Sequence, residues 1–361
     1  MVSLKSAKNG SIPVSVVVPA YNRAALLDAA LQSVRDQTVA PEEIVVVDDG
    51  SEDDEVGAVA RRHGARLLRQ DNCGASAARN VGLAAARSPW IAFLDSDDLW
   101  LPRKLELQYR VLKQTIGYQA VISNFRVFSS LGLFDETAFE LNPVYRSIDK
   151  RRVGPDAYEL SMVSAGQALV RSMFVQLSGL MIERSVALRV GGFDTTMKRC
   201  ADHDFALRVC ATCRVLSIEN AVVRRRIAAD ALSEGEVEMR VACLELADRV
   251  IAHPERYPRG ANDLLVQLKP ALARKAAASY MKAGDFAGAR RVLRPYVHRR
   301  AGSRTLAMYC ATLMIPEKIA KREARLAFEL WERRPWRKGL DWQALTAESA
   351  PALNALVEAP E

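Results

Sequence analysis

The sequence predicts an α/β fold: a parallel sheet covered on both faces by helices, followed by an all-α region. Three observations predict it. The first hundred residues alternate short apolar runs with stretches of helical spacing, and strands apolar throughout belong to sheets buried on both faces. Three of those runs end in polar turns, Pro19-Ala20-Tyr21-Asn22, Asp48-Asp49-Gly50-Ser51 and Asp95-Ser96-Asp97-Asp98. After Ser233 the strand pattern stops and only helical spacing is left.

Taken in order, residues 14–18 form a valine-rich strand, and Leu26, Leu27, Ala30, Leu31 and Val34 share one face of a helix over 23–36. Residues 44–47 are a second buried strand, 53–63 a helix, 65–68 a short third strand, 75–86 an alanine-rich helix and 90–94 a fourth strand. Pro102 opens a helix over 102–114. A strand follows at 120–128, and 129–175 reads as an irregular insertion over the site. Residues 177–182 read as a strand, 184–190 as a short helix, 202–212 as a helix and 214–227 as one or two strands. In such sheets ligands bind beyond the carboxyl ends of the strands, where the polar turns lie.

The chain has 361 residues, a length that suits two domains. The boundary falls where the pattern changes: residues 1–234 are the α/β domain, and residues 235–361 a helical C-terminal region. Tyr280, Gly284-Asp285-Phe286 and Ala289 in that region resemble the join of one tetratricopeptide-type hairpin. The net charge of +8 is concentrated in the helical region. That excess fits a solvated helical surface, and it also suits anionic lipid, a phosphorylated acceptor or nucleic acid. No run of 18 apolar residues exists, and residues 1–10 lack the apolar centre of an export signal. A cytosolic location is therefore expected, with reduced cysteines. Cys210-x-x-Cys213, with Cys200 and His203 nearby, has zinc-like spacing; the alternative is buried free thiols.

Carboxylates carry the chemistry. Asp48-Asp49 follows the second strand, Asp95-x-Asp97 follows the fourth, and Asp202-x-Asp204 opens a helix after Gly191-Gly192-Phe193-Asp194. Alternate residues leaving a strand point the same way, so Asp95 and Asp97 can face one site. Like charges gathered in a crevice call for a cation or a positive ligand. Mg²⁺ or Mn²⁺ takes a few protein oxygens and accepts phosphate oxygens for the rest.

These motifs together resemble glycosyltransferase family 2, the inverting nucleotide-sugar enzymes of the GT-A (Rossmann-like) fold. The matching residues are Val16-Val17-Val18-Pro19-Ala20-Tyr21-Asn22-Arg23, Val47-Asp48-Asp49-Gly50-Ser51, Asn72-Cys73-Gly74-Ala75-Ser76-Ala77-Ala78-Arg79-Asn80-Val81-Gly82, Ile91-Ala92-Phe93-Leu94-Asp95-Ser96-Asp97-Asp98-Leu99-Trp100, Gly191-Gly192-Phe193-Asp194 and Asp202-His203-Asp204-Phe205. They run in the family's order over residues 12–233. The resemblance implies that Pro19, Tyr21 and Asp49 hold the nucleotide base, and that Asn72 and Arg79 support the nucleotide pocket. It gives donor ribose or sugar hydroxyls to Asp95, a divalent cation to Asp97 and the role of catalytic base to Asp202. Three positions depart from the family pattern. Cys73 replaces a glycine, Ala201 replaces an acidic residue, and Ala228 stands where a metal- or diphosphate-binding histidine is usual. The cation is therefore expected to bind weakly, with Arg224, Arg225 or Arg226 available to neutralise the diphosphate.

The expected activity is inverting transfer of a single sugar from a nucleotide-diphosphate sugar to an acceptor hydroxyl. The implied setting is cell-surface glycan or glycolipid assembly, with peripheral contact at the cytosolic membrane face and no nucleic acid partner. No Q-x-x-R-W motif marks a processive synthase. Two other readings stay open: a nucleotidyltransferase on a related fold, and a non-catalytic nucleotide-sugar-binding homologue.

Overall fold

The computed structural model describes residues 11–129, 132–227, 235–297 and 303–314. The chain divides into two compact units, Met1–Asp230 with Arg256–Arg259, and Ala231–Glu255 with Gly260–Glu361.

The first unit begins β1 Ser11–Ala20, α1 Ala24–Arg35, β2 Ala40–Asp48, α2 Glu55–Arg62, β3 Arg66–Arg69, α3 Ala75–Ala85, β4 Trp90–Phe93, β5 Leu99–Trp100, α4 Lys104–Gln114 and β6 Ala120–Ser129. There follow β7 Gly132–Leu133, α5 Ala138–Leu141, α6 Pro143–Arg146, β8 Lys150–Arg152, β9 Tyr158–Leu160 and α7 Met162–Arg171. It closes with β10 Leu180–Glu183, α8 Arg184–Arg189, α9 Ala201–Thr212 and β11 Val215–Arg226. All these strands join one sheet, in the order β3-β2-β1-β4-β10-β6-β11-β9-β8, with β5 on β11 and β7 on β6.

The valines decide the layering, because successive residues of a strand face opposite sides. Val16, Val18 and Val46 pack with Leu27, Leu31 and Val34 of α1 and with Val56 and Val59 of α2. Val45 and Val47 pack with Ala78 of α3 on the other face. Gly82 lets α3 lie close on that face, since a Cβ there would stand 2.4 Å from Val17 Cγ1.

β1 lies between β2 and β4 and is parallel to both. The chain runs outward through β2 to β3, then returns to β4 on the opposite side of β1. That reversal opens a crevice at the carboxyl ends of β1 and β4. The turns after β1, β2 and β4 therefore share one edge.

The parallel pairing expected over the first hundred residues holds from β3 through β4, and two later expectations need correction. The sheet is parallel only as far as β4; beyond it β10 runs antiparallel to β4 and β6, and β9 antiparallel to β11, so the sheet is mixed. The segment 129–175 is organised, not irregular. It contributes three strands and three helices around Tyr145, whose ring stacks on Phe139 at 3.8 Å and meets Phe174 edge-on at 5.3 Å. The Tyr145 hydroxyl bonds Ser217 Oγ at 2.6 Å and Glu219 Oε1 at 2.9 Å. Contacts across more than seventy residues leave no local period in the sequence. The strand expected over 177–182 opens instead with a 3-10 turn at Leu177–Gly179.

The second unit contains α10 Glu236–Ala252, α11 Ala261–Lys282, α12 Phe286–Leu293 and α13 Ser303–Met314. Ala277, Met281, Phe286, Ala289, Leu293 and Met308 form its main cluster. At the α11–α12 join, Gly284 takes φ +81° and Asp285 caps α12 by accepting from Gly288 N at 2.7 Å. A Cβ on Gly288 would stand 2.6 Å from the Tyr280 ring, so these two residues set the close approach of the hairpin.

Candidate active site

The crevice begins where β1 and β2 end. Pro19 is level with Val47 and Ala20 with Asp48. Asn22 leaves β1 at φ +48°, and clips this turn to the next: Asn22 N donates to Ser51 Oγ at 3.1 Å and Asn22 Oδ1 accepts from Glu52 N at 2.9 Å. Tyr21, 41% exposed, keeps its ring accessible. Asp48 is buried and accepts from Ser51 N and Ser51 Oγ at 2.9 and 2.5 Å.

Asp49 is buried as well. Its Oδ1 accepts from Gln70 Nε2 at 2.7 Å and Cys73 N at 2.9 Å, and its Oδ2 from Gly74 N at 2.8 Å. The carboxylate thus ties the 70–74 loop to the end of β2. Gly50 completes the turn at φ +80°, where a Cβ would meet Asn72 N at 2.8 Å. Asn72 itself is exposed at the rim.

Asp95, Asp97 and Asp98 follow β4. Arg79 of α3 donates through Nη2 to Asp95 Oδ1 at 2.6 Å, while its buried Nε has no hydrogen-bond partner. Arg23 donates through Nη1 to Asp97 Oδ2 at 3.0 Å. Asp98 is enclosed: Ser178 Oγ and Gln176 Nε2 donate to Oδ2 at 2.6 and 2.9 Å, and Arg226 N donates to Oδ1 at 3.0 Å. Burial, then the Asp95 charge, pushes the Asp98 carboxyl up to about 7, and Asp97 adds to the rise.

A divalent cation fits this donor set. Asp97 offers water-accessible carboxylate oxygens, hard ligands suited to Mg²⁺ or Mn²⁺. Among the described residues no cluster of three or more His, Cys, Asp or Glu could hold a metal ion alone. Such a cation would therefore need oxygens from a diphosphate as well. Ala228, the substituted histidine position, lies outside the described residues. Of the three arginines before it, Arg224 and Arg225 are exposed. Arg226 is committed to the acidic turn, its Nε donating to Asp97 O at 3.2 Å.

α9 packs against β4. Asn80, next to Arg79, clamps Phe193: Asn80 Oδ1 accepts from Phe193 N and Asn80 Nδ2 donates to Phe193 O, both at 2.8 Å. Phe193 stacks on Phe205 of α9 at 4.3 Å, and both rings meet Phe93 of β4 edge-on. This trio packs α9 onto β4 just before Asp95. The helix starts after Cys200, which is held at φ +60°, so Asp202 is not the N-cap residue.

Asp202 and Asp204 have different environments. Asp202 is half-buried, and its Oδ1 accepts only from the neighbouring His203 N, at 2.8 Å, among the described hydrogen bonds. Asp204 is buried, and Arg208 Nε and Nη2 reach its Oδ2 at 2.8 and 2.5 Å. The Tyr257 hydroxyl donates to Asp204 Oδ1 at 2.6 Å. Arg208 and Tyr257 were not legible as site-supporting residues, although Asp204 and Arg208 stand four apart, a spacing that pairs charges on a helix. Tyr257 has no local signal. Cys210 and Cys213 are buried thiols pushed up to about 12, by burial above all.

Known proteins resemble this chain in sequence and in architecture. Residues 15–176 match the model of Glycosyl transferase family 2. An uncharacterized glycosyltransferase of Haemophilus influenzae is 27% identical over 196 residues, 54% of this chain and 61% of that protein. The chain thus spans less than two thirds of that relative. UDP-Glc:alpha-D-GlcNAc-diphosphoundecaprenol beta-1,3-glucosyltransferase WfgD of Escherichia coli is 36% identical over 121 residues, 32% of this chain and 47% of that enzyme. The crystal structure of S. aureus TarS 1-349 in complex with UDP-GlcNAc superposes with a TM-score of 0.58 at 14% identity, covering 92% of this chain and 93% of that one. With acidic turns gathered at the β1–β4 switch point and α9 packed onto β4 just before them, residues 15–176 carry a glycosyltransferase family 2 domain, and the sheet has the GT-A fold.

Proposed function

We propose that the protein is an inverting glycosyltransferase that moves a single sugar from a nucleotide-diphosphate sugar to an acceptor hydroxyl. The observation that carries this reading is the contrast on α9. Arg208 and Tyr257 occupy Asp204, whereas among the described hydrogen bonds Asp202 Oδ1 accepts only from His203 N, which supports Asp202 as the proton acceptor. A sugar hydroxyl is a weak nucleophile at neutral pH, and a positioned carboxylate contributes about 10²–10⁴-fold to its deprotonation.

In this mechanism Tyr21 offers its ring to the nucleotide base, beside Pro19. Asp49 acts by holding the Asn72–Gly74 rim in place. Asp95, oriented by Arg79, accepts from donor hydroxyls. Asp97 is the protein ligand of a loosely held Mg²⁺ or Mn²⁺, which when bound stabilises charge on the departing diphosphate. Arg23 and the exposed Arg224 and Arg225 add positive charge for that group. Asp202 takes the acceptor proton on a carboxylate oxygen. The acceptor oxygen bonds to the anomeric carbon on the face opposite the breaking bond, so the configuration inverts.

The similarity to WfgD supports a lipid-linked or surface-glycan acceptor, and with it peripheral contact at the cytosolic membrane face. Among the described residues no helix is long and apolar enough to cross a membrane. The test is turnover of a panel of nucleotide sugars, followed by NMR of the anomeric product. An inverted product lost in Asp202→Asn supports the reading; a retained configuration or silence across the panel rejects it.

A further inference from the structure

We infer that Tyr257 is a positioning residue for catalysis, holding the first turn of α9 so that Asp202 meets the acceptor. The inference rests on the proposal that Asp202 is the base. Tyr257 comes from the short segment between α10 and α11, yet residues Arg256–Arg259 belong by their contacts to the first unit.

Three anchors fix the start of α9. His203 Nε2 meets Leu169 O of α7 at 2.5 Å. Arg208 pairs with Asp204 and donates also to Val190 O, tying the helix to the end of α8. Tyr257 supplies the third, at 2.6 Å from Asp204 Oδ1. All three members of the Asp204–Arg208–Tyr257 group are buried, at 2%, 3% and 5% exposure. Burial, and then the Asp204 carboxylate, raise the Tyr257 phenol above its ordinary value of 10, so it stays a donor at working pH. The segment is itself fixed by Pro258, which fills the space over Gly166 of α7, where a Cβ would stand 2.3 Å from Pro258 Cβ.

The anchors are needed because α9 starts from a strained residue. Cys200 sits at φ +60° and ψ 12°, a left-handed conformation unfavourable for a side chain with a Cβ. Such a conformation persists only where its surroundings over-determine it. Without the Tyr257 hydroxyl, Asp204 Oδ1 loses its donor and Cys200 can relax, and both changes move Asp202. Nucleotide recognition sits on the turns after β1, β2 and β4, so donor affinity should not follow.

The experiment compares full-length wild type, Tyr257→Phe, Asp202→Asn and the double variant. It uses the nucleotide sugar of the panel that the wild type turns over fastest, with UDP as the binding probe. Tyr257→Phe should lower kcat about tenfold or more, since a misplacement near 1 Å can cost about 10²-fold, with KM for the donor and UDP affinity unchanged. Amide exchange over residues 201–206 should rise. The double variant should be no slower than Asp202→Asn, because Tyr257 acts through Asp202. Wild-type kcat in Tyr257→Phe, an equal loss of UDP affinity, or a chain that no longer folds overturns the positioning role. So does a double variant slower than either single by the product of their effects. Near-normal turnover in Asp202→Asn overturns the base reading and this inference together, whereas a dead Asp202→Asn beside an unimpaired Tyr257→Phe overturns this inference alone.

Discussion

Arg23 Nη1 lies 3.0 Å from Asp97 Oδ2, so the turn after β1 lends a guanidinium to the carboxylate that the family motif gives to a metal. The pair is exposed, at 57% and 29% of the side chains. Such pairs contribute about 0.2–1 kcal/mol. Giving up this pair therefore costs little, so Arg23 would oppose a cation at Asp97 only weakly. Arg23→Gln should tighten Mn²⁺ binding by at most about fivefold when titrated without nucleotide. Asp97→Asn should weaken it. Equal Mn²⁺ affinity in all three proteins would remove Asp97 from the metal site.

The two aspartates of α9 should fail in different ways. Asp202→Asn should leave the melting temperature and UDP affinity in place while turnover falls by about two orders of magnitude or more. Asp204→Asn strips the charge facing buried Arg208, and breaking one partner of a buried pair costs about 3–5 kcal/mol. Its signature should be a large drop in melting temperature. A stable but inactive Asp204→Asn beside an active Asp202→Asn would move the base two residues along.

Lys104 should give the fold a pH dependence. It is fully buried on α4, with Nζ 3.6 Å from the centre of the Trp100 ring and no hydrogen-bond partner. Burial lowers its amine well below the ordinary 10.5. Between the folded and unfolded values the unfolded chain binds more protons, so stability rises with pH through that window. Lys104→Met should flatten that rise. It should also raise the neutral-pH melting temperature, by about 2–4 °C for each kcal/mol recovered in a domain of this size. Thermal melts from pH 6 to 10 read both effects; parallel curves for the two proteins would contradict the argument.

A chain ending at Glu234 lacks Tyr257. We expect it to bind UDP like the full-length protein, because the proposed nucleotide-binding turns precede residue 100, yet to turn over about tenfold slower or worse. It should also bind anionic vesicles less well, since the basic excess lies beyond that point. Full turnover in the shortened chain would detach the helical region from catalysis, and undiminished vesicle binding would place any membrane contact elsewhere.

The sequence by itself determined the first four strands, their helices and the positions of the acidic turns. Strands buried on both faces are apolar nearly throughout, so residues 14–18, all valine but Ser15, and 44–47 announce themselves, and the turns that follow gather the polar groups. The carboxylates at 95 and 97 were readable for the same reason, and Asp202 by its place after Gly191-Gly192-Phe193-Asp194 in the family resemblance. Their environments were not. Asp49 looks like Asp97 in sequence, but Cys73 N and Gly74 N enclose one while the other stays open to water. Asp202 and Asp204 differ only through Arg208 and a tyrosine fifty-three residues from Asp204. The mixed half of the sheet and the aromatic cluster around Tyr145 likewise depend on pairings distant in sequence. Local spacing reports which face of an element is apolar; which buried carboxylate finds a donor is settled only when remote segments pack together.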